Sequence, residues 1–231
     1  MAKKVILVTG ASRGIGYETA RYLAGQKYHI LATARSADKL EDLKSTHAKR
    51  IDIVPADLLD ATSIQSIIDI IRDQNMFLTA FIHNAGGLVN KPFLELTDHD
   101  WNTMWNMNVM SAVRLIRALL PFFDKNAHMV TVGSMGGFQG SSKYPGLSAY
   151  STSKGALSIW SECMAAELKD KGVSVNCLCL GAVQTEMFKT AFPGVKAPLK
   201  PEEMAKFVGD FTLNGHKFMN GQILPVTLNN P

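Results

Sequence analysis

A tyrosine and a lysine four residues apart, Tyr150 and Lys154, could together perform proton transfer. Residues i and i+4 lie on one side of a helix, so the phenol and the ammonium are expected to face the same space. A nearby ammonium lowers a tyrosine pKa from its ordinary value of about 10. Lowering the tyrosine pKa to about 7 would need on the order of 4 kcal/mol, more than one lysine is expected to supply. A second positive charge is therefore expected nearby. The spacing alone also fits an ordinary helix.

Composition limits the class of protein that carries this pair. The chain has 231 residues, 46% of them hydrophobic and 19% charged, which suits one α/β domain with a large core. The net charge is +4, and its basic residues form no run of five or more, so no nucleic acid partner is expected.

No apolar run reaches the ~18 residues of a membrane span, so no membrane association is expected. The start of the chain leads straight into a strand, so no targeting peptide is expected.

The cysteines and histidines predict no metal site. Cys163, Cys177 and Cys179 fit reduced, buried thiols of a cytoplasmic protein. No second pair completes Cys177 and Cys179 as zinc ligands, and the six histidines form no ligand-spaced pair.

Short apolar runs alternate with helical patterns, which predicts βαβ units and a parallel sheet. Strands are expected at Val5–Thr9, His29–Ala34, Ile51–Pro55, Ala80–His83, His128–Gly133, Val173–Leu180 and Gln222–Val226. Helices are expected at Gly14–Gly25, Ala37–Thr46, Ala61–Asp73, Asp98–Phe123, Tyr150–Lys171 and Pro201–Leu213. The predicted fold is a doubly wound parallel α/β sheet (Rossmann fold) of about seven strands with helices on both faces, as one domain over residues 1–231. Ligands of such sheets bind beyond the carboxyl ends of the strands.

A glycine-rich turn follows the first predicted strand and opens the first helix. Gly10 would allow the tight turn, and Gly14 would let backbone amides approach a phosphate closely. Gly16 would let the helix pack closely against the strand. The free N–H groups of the helix start would bind a pyrophosphate. A plain structural turn is the alternative. The residues expected to touch a dinucleotide here are Gly10, Ser12, Arg13, Gly14, Ile15 and Gly16.

The end of the second strand indicates which dinucleotide would bind. A carboxylate there would bind the ribose 2′-hydroxyl of NAD, but the chain has Ala34, Arg35 and Ser36 instead. Arg35 and Arg13 could together bind a dianionic 2′-phosphate, which favours NADP(H) as the cofactor. The alternative is that both are ordinary solvated surface arginines. An oxidised nicotinamide would also supply the second positive charge near Tyr150.

Other strand ends offer further contacts. Asp57, followed by Leu58, would contact adenine or act as a turn aspartate. Asn84, before Ala85 and Gly86, could tie neighbouring strands together, touch the cofactor, or both. Beyond the sixth strand, backbone near Gly181 and Val183 could meet a carboxamide, and Thr185 a phosphate.

Two more polar residues could complete a catalytic set. Asn108 lies on the apolar stripe of its helix, so it is either a satisfied core amide or a site residue holding a water. Ser134 ends the fifth strand, where its hydroxyl could stabilise charge on a carbonyl oxygen. No histidine is placed to activate it, so a hydrolase is disfavoured.

The substrate pocket is expected to be apolar and partly aromatic. Residues about 187–200 form either a connecting loop or a mobile lid. The pocket residues are expected to be Met135, Phe138, Tyr144, Leu147, Phe188 and Phe192.

Together these residues resemble the short single-domain branch of the short-chain dehydrogenase/reductase family. The glycine motif, the Asn84-Ala85-Gly86 motif and the catalytic set Asn108, Ser134, Tyr150 and Lys154 match in order over almost the whole chain. The resemblance implies that Lys154 also binds the nicotinamide ribose and that Asn108 supports a proton-conducting water. It further implies a homodimer or homotetramer.

Departures from the family pattern fall around the substrate region. His83 replaces the usual Asn before Asn84, which could loosen the strand tether, and Leu180 replaces a proline. Extra residues within 140–144 enlarge the loop between Ser134 and Tyr150.

The expected function is that of an NADP-dependent oxidoreductase transferring a hydride between nicotinamide and a small carbonyl or alcohol substrate, with Tyr150 as acid and base. An NAD-linked alcohol dehydrogenase and a cofactor-binding regulatory protein with little turnover are the alternatives. The identity of the substrate does not follow from the sequence.

Overall fold

The strands predicted from the apolar runs form one parallel sheet. The computed structural model describes residues 3–228. Its strands are β1 Lys3–Thr9, β2 Ile30–Ala34, β3 Ile51–Pro55, β4 Met76–His83, β5 Phe123–Ser134, β6 Ser174–Leu180 and β7 Ile223–Val226. Their order is β3-β2-β1-β4-β5-β6-β7, and every pair is parallel. The doubly wound fold is therefore confirmed.

Helices cover both faces of this sheet. They are α1 Gly14–Gly25, α2 Ala37–Thr46, α3 Ala61–Asp73, α4 Asp98–Trp105, α5 Ser111–Leu119, α6 Ser148–Glu167, α7 Glu186–Ala191 and α8 Pro201–Asn214. A π turn, Asn106–Met110, joins α4 to α5. Single 3₁₀ turns occur at Phe93–Glu95, Leu120–Phe122, Met135–Gly137, Lys169–Lys171 and Gly215–Lys217. Within residues 3–228, no helix is long and apolar enough to cross a membrane.

The core lies in two layers, because successive strand residues point to opposite faces. Val5 and Leu7 of β1 pack in one layer with side chains of α3, α5 and the end of α6. Ile6 and Val8 pack in the other with side chains of α1, α2 and α8. β1 is buried on both faces, and the strand order reverses between β1 and β4. A crevice is expected at such a switch point.

The helix predicted over Asp98–Phe123 is interrupted and shorter. The π turn breaks its regular geometry at Asn106–Met110. α5 ends at Leu119, because Pro121 cannot continue a helix, and β5 begins at Phe123. The capping pair at its start is present, since Thr97 and Asp100 bond each other's backbone N–H groups.

Other boundaries also differ from the prediction: β4 begins at Met76 and β5 at Phe123, both earlier than expected. α6 begins at Ser148 and ends at Glu167, and Gly172 then turns the chain with a φ of +73°. The segment interpreted as a connecting loop or lid contains the short helix α7. Thr185 caps α7 by accepting a hydrogen bond from the N–H of Phe188 at 3.1 Å.

A buried histidine network joins the amino-terminal ends of β5 and β6. Nδ1 of His128 lies 2.9 Å from the carbonyl oxygen of Thr212, so Nδ1 carries the hydrogen. Nε2 therefore accepts from the Asn176 amide at 2.9 Å. The same amide donates to the Met219 carbonyl, and its oxygen accepts from the N–H of Gln222. The network needs a neutral imidazole, and burial lowers the pKa of His128 to about 4.

This network predicts a loss of stability in mild acid. Below pH 6.5 the unfolded chain protonates this imidazole, whereas the folded chain resists until about pH 4. The free energy of unfolding should fall across that window, by up to about 3 kcal/mol from this group. Urea unfolding between pH 7.5 and 4.5 measures the slope. His128→Gln should reduce it and the exposed His99→Gln should not; equal slopes in all three proteins would contradict the assignment.

Candidate active site

A cleft of about 890 Å³ opens at the carboxyl edge of the sheet, where β1 and β4 meet. It brings together residues that the sequence places far apart. Those predicted for the site that line it are Gly10, Ser12, Arg13, Gly14, Ile15, Arg35, Ser36, Asp57, Leu58, Asn84, Ala85, Gly86, Ser134, Met135, Tyr144, Leu147, Tyr150, Lys154, Gly181, Val183, Thr185, Phe188 and Phe192. Gly16, Asn108 and Phe138 lie outside the lining.

The glycine loop has the geometry of an open anion cradle. Gly10 and Gly14 have φ values of +66° and +58°, in the left-handed region that favours glycine. Gly16 lies beneath the loop, where a Cβ would overlap the Gly10 carbonyl and the Asn84 amide. No side chain caps α1, whose cap position is Arg13, so its first N–H groups are available to an anion.

The cations expected at a 2′-phosphate line the cleft near the end of β2. Arg35 follows β2, and Arg13 reaches the same end from the glycine loop. Lys39, which the sequence analysis did not assign, joins them from the first turn of α2. Arg13 is not free, because Nη1 lies 2.9 Å from Oε2 of Glu186. Nζ of Lys39 lies 3.9 Å from the same oxygen.

Asp57 acts as a turn residue at the end of β3. Its Oδ1 accepts the N–H of Leu59 at 3.0 Å, while the cap of α3 is Asp60. The structural interpretation of Asp57 therefore holds, and its place in the cleft lining also allows contact with a ligand.

Asn84 ties β4 to β1, as the sequence suggested. Its amide donates to the carbonyls of Thr9 and Gly10, each at 3.2 Å. In return, Thr9 Oγ1 accepts the N–H groups of Asn84 and Ala85 at 3.1 Å. These bonds hold the glycine loop against the end of β4.

His83 does not loosen this tether, contrary to the expectation from the sequence. It is fully buried, with Nδ1 3.3 Å from Thr9 Oγ1 and Nε2 3.4 Å from Ser111 Oγ. Burial lowers its pKa to about 3, and the charge of Lys154 contributes to the shift. The histidine thus adds a link from β1 to α5.

Asn108 is both a satisfied buried amide and a neighbour of the cleft. Oδ1 accepts the N–H of Gly87 at 2.9 Å, and Nδ2 donates to the Gly87 carbonyl at 3.0 Å and to Ser153 Oγ at 2.9 Å. Ser153 in turn donates to the Tyr150 carbonyl at 2.7 Å. The π turn places Asn108 where all these bonds form. It connects the loop after β4 to the turn of α6 that carries Tyr150.

Ser134 and Tyr150 face each other in the cleft. Ser134 ends β5, and its Oγ accepts the N–H of Gly136 at 3.1 Å. Burial raises the pKa of Tyr150, and a hydrogen bond with Ser134 only partly offsets this. The lowered tyrosine pKa expected from Lys154 is therefore not present without a further positive charge.

Lys154 lies deeper than its position beside Tyr150 suggested. It is 5% exposed, and Nζ donates to the Val132 carbonyl at 2.8 Å. Burial lowers its pKa to about 8, so the ammonium form still dominates at pH 7. The thiols of Cys177 and Cys179 lie nearby, both fully buried, and Ser158 Oγ is 3.5 and 3.6 Å from their sulfur atoms.

The predicted substrate residues divide between two surfaces. Met135 and Leu147 are buried in the cleft wall, whereas Tyr144 is 56% exposed at its edge. Phe138 instead packs against Met135, Cys177 and Cys179 and lines a separate hollow behind the loop. The 3₁₀ turn Met135–Gly137 immediately precedes it.

The enlarged loop between Ser134 and Tyr150 closes on itself. Nζ of Lys143 donates to the carbonyls of Phe138 and Ser141 at 2.6 and 3.1 Å and to Ser141 Oγ at 2.6 Å. Ser141 Oγ also donates to the Phe138 carbonyl at 2.9 Å. The extra residues therefore form a tied turn beside the cleft.

Sequence reasoning missed Lys39, Glu186 and Ser153. Lys39 stands one helical turn after the cap residue Ser36, a spacing that points back to the end of β2. Glu186 follows the capping residue Thr185, which is a common start of a helix. Ser153 gave no comparable signal, since its role depends on the distant Asn108.

Comparisons with known proteins give the relatives of this chain. The family model described as short chain dehydrogenase matches residues 4–196. A fatty acyl-CoA reductase of Acinetobacter baylyi is 32% identical over 213 residues, covering 89% of this chain and 71% of that protein. The 3-oxoacyl-[acyl-carrier-protein] reductase of Escherichia coli is 30% identical over 189 residues, covering 80% of this chain and 75% of its own length. The structure of L-sorbose reductase from Gluconobacter frateurii, complexed with NADPH and L-sorbose, has a TM-score of 0.87 at 24% identity, covering 99% of this chain and 97% of that one.

Gly86→Ala tests how tightly this site is packed. A Cβ on Gly86 would lie 2.6 Å from Asn108 Oδ1 and 3.3 Å from Lys154 Nζ. Asn108 cannot move without losing its bonds to Gly87 and Ser153, so the variant should lose about 1–3 kcal/mol of unfolding free energy. The control is Gly25→Ala, whose Cβ would meet only His47 Nε2 at 3.6 Å. Urea unfolding compares the two, and equal stabilities would refute the packing argument.

Proposed function

Because the chain belongs to the short-chain dehydrogenase family of oxidoreductases, we propose that it is an NADP-dependent oxidoreductase acting on a carbonyl or alcohol substrate. The observation that carries the proposal is that one cleft holds the uncapped start of α1, a group of cations, and the Ser134–Tyr150 pair. An anion cradle and a proton-transfer pair at opposite ends of one cleft suit a long dinucleotide and a small second reactant.

The residues present fit the cofactor. A Cβ on Gly10 would lie 2.9 Å from Ala85 Cα and one on Gly86 2.6 Å from Asn108 Oδ1, so both positions need glycine and present bare backbone to the cleft. The α1 start would bind the pyrophosphate, and Arg13, Arg35 and Ser36 the 2′-phosphate. Asp57 and Leu58 would contact adenine. Backbone at Gly181 and Val183 would hold the carboxamide, and Thr185 would contact a phosphate. When bound, the nicotinamide donates or accepts the hydride.

The protein's own groups would manage the proton and the carbonyl oxygen. Ser134 would donate a hydrogen bond to that oxygen and so stabilise negative charge developing on it. Tyr150 would supply the proton, and its raised pKa keeps the phenol protonated at neutral pH. Reduction begins with a protonated donor, so this state suits the reductive direction.

Lys154 would tune Tyr150 and bind the nicotinamide ribose. Its buried ammonium has one protein acceptor, the Val132 carbonyl, among the described residues, so further N–H donors can serve a ligand. Asn108 would position this region through its bonds to Gly87 and Ser153. A water held near Asn108 and leading protons to Lys154 remains part of the proposal.

We further propose a substrate with an apolar part. Met135, Leu147, Phe188 and Phe192 give the far end of the cleft an apolar wall. The similarity to two reductases named for acyl substrates supports a carbonyl compound with a hydrocarbon portion. The segment 187–200, which contains most of α7, would act as the lid of this compartment.

Tyr150→Phe tests the proton donor. Removing the hydroxyl should leave NADPH affinity unchanged and reduce turnover by about 100-fold or more, since general acid catalysis typically contributes that factor. Turnover is measured by NADPH oxidation against a panel of aldehydes, ketones and acyl ketones. Tyr28→Phe, on an exposed tyrosine before β2, is the control. Turnover of Tyr150→Phe within a few fold of the unmodified enzyme would rule out the mechanism.

Arg35→Asp tests the choice of cofactor. It removes a cation from the expected 2′-phosphate position and places a carboxylate where NAD-binding proteins have one. NADPH affinity should fall about 10-fold or more relative to NADH affinity, the value of a charge-assisted hydrogen bond. Calorimetric titration of both cofactors measures the ratio, with the exposed Lys49→Asp as control. An unchanged ratio would contradict the assignment of Arg35.

A further inference from the structure

Arg13, which is assigned to the 2′-phosphate, and the neighbouring Lys39 already have an anionic partner within the chain. Oε2 of Glu186 lies 2.9 Å from Nη1 of Arg13 and 3.9 Å from Nζ of Lys39. All three residues line the cleft. A carboxylate and a phosphate form the same kind of charge-assisted bond to a guanidinium. Glu186 therefore stands where it would compete with a 2′-phosphate for Arg13.

This internal ion pair is weak enough to be displaced. The side chains of Arg13 and Glu186 are 53% and 58% exposed, so water screens their attraction. A 2′-phosphate carries about two negative charges against one on the carboxylate, and Arg35 adds a cation that Glu186 does not contact. The exchange should favour the phosphate and should be strongest at low ionic strength.

Glu186 is also one end of the lid helix. It is the first residue of α7, in which Phe188 lines the cleft together with the following Phe192, their ring centroids 5.0 Å apart. At the other end, the Asn90 amide donates to the Ala191 carbonyl at 2.8 Å. α7 is thus tied at its start to the glycine loop and α2, and at its end to the loop after β4.

We propose that Glu186 is a specificity-determining residue that couples the 2′-phosphate to the lid: the phosphate displaces Glu186 from Arg13 and Lys39 and so releases the start of α7. This inference rests on the proposed NADP-dependent function. A dinucleotide without the 2′-phosphate leaves the ion pair intact. The attachment of Asn90 to Ala191 does not depend on the phosphate, so the helix would pivot rather than detach.

Binding of two adenosine nucleotides tests the competition. Glu186→Gln should bind 2′,5′-ADP about three- to fivefold more tightly than the unmodified protein at low salt, as loss of one exposed ion pair allows. Binding of 5′-AMP, which lacks the 2′-phosphate, should not change. Glu41→Gln is the matched control, because Glu41 is an exposed α2 carboxylate without an ion pair among residues 3–228. Equal or weaker binding of 2′,5′-ADP by Glu186→Gln would overturn the proposal, as would an equal gain in Glu41→Gln.

Hydrogen–deuterium exchange tests the coupling to the lid. In the unmodified protein, 2′,5′-ADP should speed amide exchange in α7, whereas 5′-AMP should not. In Glu186→Gln exchange should already be fast without ligand. No change in α7 with saturating 2′,5′-ADP would overturn the coupling. Failure of the unmodified protein to bind NADPH would instead refute the proposed function, whatever Glu186→Gln does with the nucleotides.

Discussion

The clamp between β1 and β4 is the constraint on which the site depends. The sheet order reverses between these strands, and Thr9 and Asn84 exchange side-chain and backbone hydrogen bonds across that point. His83 extends the clamp to α5 through Ser111. The helices that follow these strands pack on opposite faces of the sheet, so the groups of the cleft take their positions relative to this join. His83, which replaces the asparagine usual in the family, preserves the clamp because its ring contacts Thr9 of β1 and Ser111 of α5.

A second set of buried polar groups fixes the elements around Tyr150. The π turn, the loop at Gly87 and the Tyr150 turn of α6 are linked through Asn108 and Ser153. Such groups are stable inside a protein only when their hydrogen bonds are complete, so this network resists rearrangement. Lys154 sits beside it with a reduced pKa. Without a ligand Tyr150 is therefore neutral at pH 7, whereas the ammonium form of Lys154 still predominates.

Local patterns predicted most of the fold and the cleft. α1, α2 and α3 have the predicted bounds, because their apolar spacing and the turn residues that flank them are local signals. The π turn was not predicted, and the bonds that Asn108 makes from it reach Gly87 and Ser153, which are distant in the sequence. The raised pKa of Tyr150 was missed for a similar reason: the i+4 spacing gives the lysine as neighbour but not the burial that outweighs it. Phe138 was misplaced because its packing partners Cys177 and Cys179 are distant in the sequence.

The tied turn closed by Lys143 is structurally independent of the elements that hold Ser134 and Tyr150. Ser134 ends a strand that pairs with β4 and β6, and Tyr150 belongs to a helix packed on the sheet, so their separation does not depend on the chain between them. The turn bonds mainly to its own backbone at Phe138 and Ser141. Evolution could therefore lengthen, shorten or exchange this segment and change which molecules are accepted while leaving the reaction centre untouched.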